Sequence, residues 1–264
     1  MSDGSGSVGR VMDMRFDGKV VLVTGASGGI GAAVAREFGA SGASVAVHYA
    51  TGESAAASVV ESVLASGGHA RAHRVDLTDP EGPGQLVAAV SERFGRIDVL
   101  VNNAGGQVRR ASVVDTGDDL YDELVALNLT SLVRMCRAAI PVIARGGGGS
   151  IVNVSSVSAR TGGGGGSVVY SAAKAAVSTL TRGLAKELVP AGIRVNAVAP
   201  GLVDTAFHAA TPSSTWDTVV AGIPMGRAGR PEEIVGPVLF LACEATASYV
   251  NGQSLEVNGA QYSP

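Results

Sequence analysis

The chain has 264 residues, 46% of them hydrophobic and only 4% aromatic, with a net charge of −3 and a pI near 5.8. That length suits one large α/β domain, whose core must be built mainly of Val, Ala, Leu and Ile. There is no basic stripe to meet nucleic acid or an anionic membrane surface, and no run of the ~20 apolar residues expected of a membrane span.

Met1 to Arg15 is Gly/Ser-rich and lacks an apolar h-region, so residues 1–15 are expected to form a flexible tail rather than a secretory signal. The folded domain is expected over residues 16–264. From there strand and helix signals alternate. Lys19–Thr24 reads as a buried strand and Gly29–Gly39 as its helix. Ser44–Tyr49 and Glu53–Ala65 form the next pair, then Ala70–Val75 and Pro80–Phe94. Ile97–Val101 precedes a long helix, Asp118–Ala144, and Ser150–Val154 precedes another, Val168–Leu188. Arg194–Val198 is a sixth strand. Helix Pro231–Ala242 and a short strand, Ser254–Val257, follow a long structureless segment, Gly201–Arg230. This alternation predicts an α/β fold: a single-domain, doubly wound (Rossmann) parallel sheet of seven strands with helices on both faces. Cys136 and Cys243 fall in apolar helical stretches and read as buried, reduced thiols, which points to the cytoplasm.

Three turns are expected to meet at the carboxyl edge of this sheet, where ligands of open α/β sheets bind. The first is Thr24-Gly-Ala-Ser-Gly-Gly-Ile-Gly31. Gly25, Gly29 and Gly31 let the backbone approach a pyrophosphate, and Ser27, Gly28 and Ile30 complete an amide-lined turn at a helix N-terminus. In the second, Asp76-Leu77, a carboxylate can accept from an adenine amino group or simply shape the turn before Pro80. The third, Asn102-Asn103-Ala104-Gly105, follows the fourth strand.

The candidate chemistry lies further on. Tyr170 and Lys174 are four residues apart and share a helix face. A fixed positive charge favours the phenolate, so Lys174, helped by an oxidised nicotinamide, is expected to bring the Tyr170 phenol down from its ordinary value near 10. Ser156 is expected to steady the substrate oxygen, with Ser155 turned to the other side. Asn128 interrupts the apolar stripe Leu120, Leu124, Leu132 and Met135 and must find partners there; it reads either as a buried hydrogen bond or as a water-holding relay to Lys174. No metal-ligand set is expected.

In order, these features resemble those of the short-chain dehydrogenase/reductase family over about Phe16 to Pro264, with Asn196-x-x-x-Pro200-Gly201 and Gly252-Gln253 further along. The nearest pattern is that of 3-oxoacyl-(acyl carrier protein) reductases. The resemblance implies a catalytic tetrad of Asn128, Ser156, Tyr170 and Lys174. It implies that Pro200, Gly201, Val203 and Thr205 embrace the nicotinamide end of the cofactor, and that the protein is a homotetramer packed through its two long helices and C-terminal strand. The five glycines Gly162–Gly166 make the Ser156–Tyr170 spacing one residue longer than usual, which leaves the conformation of this loop open but not the tetrad, since a glycine loop can bulge outward. Asn258-Gly-Ala stands where Asp-Gly-Gly is common.

Cofactor choice turns on the end of the second strand, where an acid would repel a 2′-phosphate. Here the positions are Tyr49, Ala50 and Thr51, which favours NADP, with NAD as the alternative. Thr51 is a candidate donor to the phosphate, and His48 reads either as a counter-charge or, as is more frequent for a histidine in a strand, as a structural residue. The substrate is expected to be a small carbonyl compound or alcohol. The basic pair that meets an acyl carrier protein is replaced by Gly147 and Ala191, with Arg145 nearby, and Phe207, His208 and Trp216 are expected to shape the pocket. The reading is thus an NADP(H)-dependent ketone or 3-oxoacyl reductase. An NAD-dependent alcohol, sugar or steroid dehydrogenase, and a silent dinucleotide-binding protein, are the alternatives.

Overall fold

Short β-branched runs form the middle layer of the molecule. In the computed structural model, which describes residues 14–206 and 213–263, seven strands pair in parallel. They are β1 (Val20–Val23), β2 (Ser44–Tyr49), β3 (His69–Arg74), β4 (Val99–Asn102), β5 (Gly149–Val154), β6 (Ile193–Pro200) and β7 (Ser254–Val257), in the order β3-β2-β1-β4-β5-β6-β7. The order reverses between β1 and β4, and a crevice opens beyond the carboxyl ends of such a pair.

Alternate residues feed two cores because successive side chains leave a strand on opposite faces. Val21 and Val23 join Phe38, Val59 and Leu241 on one side. This side is covered by α1 (Gly29–Ala40), α2 (Glu53–Ala65) and α9 (Glu232–Ala242). Val20 and Leu22 join Leu86, Met135 and Ile143 on the other. There α3 (Gly82–Phe94), α4 (Asp118–Val125), α5 (Ser131–Arg145) and α7 (Val168–Glu187) pack. Short helices α6 (Ser158–Thr161) and α10 (Glu244–Ala247), with α8 (Ser213–Ala221), complete the set.

Strand ends differ from the sequence expectation by one or two residues, and larger differences have identifiable causes. The long helix continues from Asp118 to Arg145, but a π turn at Ala126–Thr130 divides it, with the Ser131 amide bonded to the Ala126 carbonyl five residues back. By length and composition this run could cross a membrane, against the expectation that none would. Its apolar stripe instead packs beneath the sheet through Leu132, Met135, Ala139 and Ile143. The segment read as a structureless loop contains α8, whose Ser/Thr-rich sequence has no clear apolar period. Residues 1–13 of the expected tail, and Phe207 and His208, lie outside the described residues. Met14 packs against the core, and Arg15 pairs with Asp17 at 2.6 Å. Both cysteines are free and buried.

At the C-terminal turn the departure noted in sequence has a measurable consequence. Ala260 is exposed and adopts φ +66°, a left-handed conformation that costs a non-glycine residue about 1–2 kcal/mol. Ala260→Gly is expected to raise stability by about 0.5 kcal/mol, the relief being partly offset by the greater freedom of the unfolded chain. A thermal melt should show an upward shift of about 1–2 °C; a downward shift would mean that the methyl group contributes packing.

Candidate active site

Two of the three turns form one hydrogen-bonded unit. The Thr24 hydroxyl accepts from the backbone amides of Asn103 and Ala104, each at 3.0 Å. Asn103 Nδ2 donates back to the carbonyls of Thr24 (2.9 Å) and Gly25 (3.0 Å). Helix α1 enters so close beneath that a Cβ at Gly31 would collide with the Gly25 carbonyl oxygen and Asn103 Nδ2, so only glycine fits. The N-terminus of α1 has no side-chain cap, and a Cβ at Gly28 would meet nothing within 4 Å. Uncapped amides facing open space, aided by the helix dipole, suit a diphosphate. These residues fit a dinucleotide.

His48 takes the structural role of the two open to it. The Gly25 amide donates to its Nδ1 at 3.0 Å, and Nε2 lies 3.0 Å from the Val75 carbonyl. Burial lowers its pKa, so the ring is neutral, with the proton on Nε2 donated to Val75. It braces the first turn from below and offers no charge to a phosphate.

Beyond the end of β2 lies a cavity of about 480 Å³ lined by residues that include Ala50, Thr51, Arg74, Asp76, Asp79 and Gln85. Tyr49, a candidate for this end, is turned into the core at 6% exposure, so the lining falls to Ala50 and Thr51. Ser27 Oγ lies 3.4 Å from the Thr51 carbonyl, joining the first turn to this rim. Asp76 Oδ1 accepts from the Thr78 amide (2.8 Å) and hydroxyl (2.6 Å), which lowers its pKa. It therefore shapes the turn before Pro80 and also lines the cavity. Leu77 is buried in the second core. Arg74 is the residue that the sequence reading missed. Pairing of Tyr49 with Arg74 places it at the cavity rim, and among the described residues it joins no ion pair. The only signal in sequence was a basic residue two before Asp76, indistinguishable from Arg71.

At the other end of the crevice the residues following β5 meet the first turns of α7. Ser155 is buried, its hydroxyl on the Lys174 carbonyl (3.0 Å) and Ser178 Oγ (2.8 Å). Ser156 faces the opposite way and hydrogen-bonds the Tyr170 phenol, while its Oγ accepts from the amide (3.1 Å) and hydroxyl (2.9 Å) of Ser158. Lys174 is buried; its Nζ donates to the Val154 carbonyl at 2.9 Å and stands 5.8 Å from the centre of the Tyr170 ring. A methyl at Gly105 would lie 2.8 Å from Asn128 Oδ1 and 3.0 Å from Lys174 Nζ, so the third turn closes over both.

Burial dominates the electrostatics of Tyr170 and Lys174. Burial pushes its phenol up to about 12, opposed by the Ser156 hydrogen bond and the charge of Arg110. Burial also brings Lys174 down to about 8. Desolvation is the largest cause in each case, and the charge that opposes it at the phenol is that of Arg110, a loop residue that helical spacing does not bring in.

Asn128 is buried within the π turn, a feature that recurs at functional sites. Its Oδ1 accepts from the Gly106 amide (3.0 Å), and Nδ2 donates to the carbonyls of Gly106 (2.8 Å) and Leu124 (3.0 Å). The side chain thus fastens the third turn to the helix and has no bond to Lys174. On the far side, the Pro200 carbonyl accepts from the Val157 amide and Gly201 packs on Asn258. Val203 bridges to Gly229, and the Thr205 methyl rests against Gly29, so this segment borders the crevice. Trp216 lies in α8 and is partly buried.

A family model described as enoyl-(acyl carrier protein) reductase matches residues 25–260. The chain is 38% identical over 241 residues to a 3-oxoacyl-(acyl-carrier-protein) reductase of Synechocystis sp., covering 91% of this chain and 96% of that one. Two solved structures share the fold closely. One is an NADH-dependent reductase responsible for alginate metabolism (TM-score 0.87, 35% identity, 94% of this chain and 99% of that one). The other is described as an NAD(P)-dependent gluconate 5-dehydrogenase from Beutenbergia cavernae with NADP bound at low occupancy (0.88, 36%, 95% and 99%).

Proposed function

The chain belongs to the short-chain dehydrogenase/reductase family, and from that premise we propose that it reduces a ketone or 3-oxoacyl carbonyl with NADPH, using Asn128, Ser156, Tyr170 and Lys174. The observation that carries this reading is the Tyr170 phenol, hydrogen-bonded to Ser156 and overlooked by the Lys174 ammonium at the edge of the crevice. When bound, the dinucleotide supplies hydride to the carbonyl carbon or takes it from the alcohol. Ser156 donates to the substrate oxygen and holds it beside the phenol. Tyr170 gives that oxygen its proton; a phenol raised to about 12 is fully protonated at neutral pH, as an acid must be. Lys174 compensates the negative charge left on the phenolate. Asn128 holds the Gly105–Gly106 backbone in place, and any relay of protons to Lys174 must run through water rather than its amide.

NADP over NAD is supported by Thr51 and Arg74 at the rim of the cavity beyond β2 and by the absence of a carboxylate at positions 49–51. Asp76 and Asp79 line the same cavity and favour the second reading, an NAD-dependent dehydrogenase of an alcohol, sugar or steroid. The ratio of dissociation constants decides between them, with NADP expected to bind at least tenfold tighter. Arg74→Ala should weaken NADP by about 10–100-fold, the value of a charge-assisted hydrogen bond, and leave NAD within about twofold. Tighter binding of NAD to the unaltered protein would overturn the assignment. NADPH oxidation against a panel of carbonyl compounds then tests the reaction itself.

The same reading places a single domain over residues 16–264 in the cytoplasm, consistent with its two free thiols. It assembles the protein as a homotetramer through the helical run 118–145, α7 and β7, where Tyr121, Val133, Val168 and Leu255 are exposed. Light scattering on the purified protein measures that mass directly.

A further inference from the structure

The five-glycine segment is exposed over residues 162–165. It is tied to the loop that follows β4. The Ala111 amide donates to the Gly166 carbonyl at 3.1 Å, and Gln107 Nε2 reaches the same oxygen at 3.4 Å. The contact is so close that a Cβ at Gly166 would lie 2.8–3.0 Å from the Ala111 backbone. Arg110 closes the junction. One of its terminal nitrogens donates to the carbonyls of Gly164 (3.1 Å) and Gly165 (3.4 Å) and to Ser167 Oγ (2.7 Å).

Two further features mark this junction as more than a surface contact. Val108, two residues before Arg110, has φ +52°. A β-branched residue there is strained, and such strain persists where surrounding contacts impose it, often at active sites. Ser167 is the N-cap of α7, three residues before Tyr170 and therefore in the same helical turn as the phenol. The partners of Arg110 are neutral oxygens, and among the described residues it joins no ion pair. Its charge is therefore not cancelled where it sits.

We propose that Arg110 is a positioning residue for the reaction, locking the glycine segment 162–166 across the mouth of the site and setting an uncompensated positive charge beside the Tyr170 phenol. The charged groups facing that phenol are Arg110 from the loop after β4 and Lys174 from its own helix, while the segment after β5 contributes the Ser156 hydroxyl. Arg110 acts on the phenol in the direction that favours phenolate. This role rests on Tyr170 being the proton donor and acceptor.

The test is the pH profile of kcat/KM for alcohol oxidation, in which phenolate is the active form, measured on Arg110→Gln and Arg110→Lys beside Tyr170→Phe. Gln keeps a hydrogen-bonding amide but no charge, so its rising limb should move to higher pH by on the order of half a pH unit, about threefold in rate at a fixed pH on that limb. Lys should return the limb to its original position. Both variants should keep the melting temperature and dinucleotide affinity of the unaltered protein, because Arg110 is exposed and, among the described residues, its hydrogen bonds go to Gly164, Gly165 and the N-cap Ser167. A Gln variant that loses rate with its limb unmoved would show a purely structural clamp and overturn the electrostatic role. A Gln variant unchanged in every respect would overturn the proposal entirely. Substantial turnover in Tyr170→Phe would instead defeat the assignment of Tyr170, and this proposal with it.

Discussion

Tyr170→Phe is expected to lower turnover by on the order of 10³-fold, the usual contribution of a positioned general acid, while dinucleotide affinity stays within about twofold. The substitution keeps the ring and its packing and removes only the hydroxyl. Ser156 keeps its bonds from Ser158, so the loss of stability should be about 1 kcal/mol. The unaltered enzyme should show where its protons reside. With the phenol raised to about 12 and Lys174 lowered to about 8, carbonyl reduction should first decline as pH rises through the lysine's titration, because the ammonium is present only below it. Rates of NADPH oxidation from about pH 6 to pH 10 would display that limb. More than a tenth of the original activity in Tyr170→Phe would reject the tyrosine as the acid. An unaltered protein that binds dinucleotide tightly yet reduces and oxidises nothing in a broad panel would restore the silent-binder reading.

Gly31→Ala is expected to raise the dinucleotide dissociation constant on the order of a hundredfold and to destabilise the fold by about 1–3 kcal/mol. The added methyl would fall on the Gly25 carbonyl oxygen and on Asn103 Nδ2. The two bonds by which Asn103 holds the first turn would have to break or shift. Gly28→Ala is the informative partner variant. Its φ of −162° suits any residue and its Cβ would point into open space, so the fold should be untouched and only cofactor binding should suffer. Calorimetric titration and thermal melts of the pair separate the two effects. Equal losses of stability in both variants, or none in Gly31→Ala, would contradict the close approach seen at this turn.

Much of the fold was legible because it rests on local signals. Val20–Val23 and Ser44–Tyr49 are β-branched, apolar runs too short for helices, and Glu53–Ala65 has a helical composition between turn residues. Their alternation leaves few topologies open. The glycine turn, Asn103, Ser156, Tyr170 and Lys174 were legible for a similar reason. Each sits at a strand end or on one helical turn, where residue type and spacing alone bring the groups to a common edge. Even the choice of Ser156 over Ser155 followed from strand alternation.

What sequence could not provide was anything settled between distant segments. The π turn at Ala126–Thr130 depends on Asn128 reaching Gly106, a loop residue 22 positions away. Tyr49 and Arg74 come together at the end of the sheet because β2 and β3 pair in one register rather than the next, and a shift of one residue would bring a different side chain to the cavity rim. Lys174 and Tyr170 are neighbours by helical period, yet burial, a property of the whole packed site, moved both away from the values their spacing suggested. Arg110 meets Ser167 across 57 residues, and nothing in either segment announces the other. The sequence by itself determined the order of elements and which chemical groups stand at the crevice, because hydrophobic periodicity and turn chemistry act over a few residues. Only the tertiary structure decided which way those groups face, what they touch and how readily they give up a proton, because desolvation and long-range hydrogen bonds exist only once distant segments have packed.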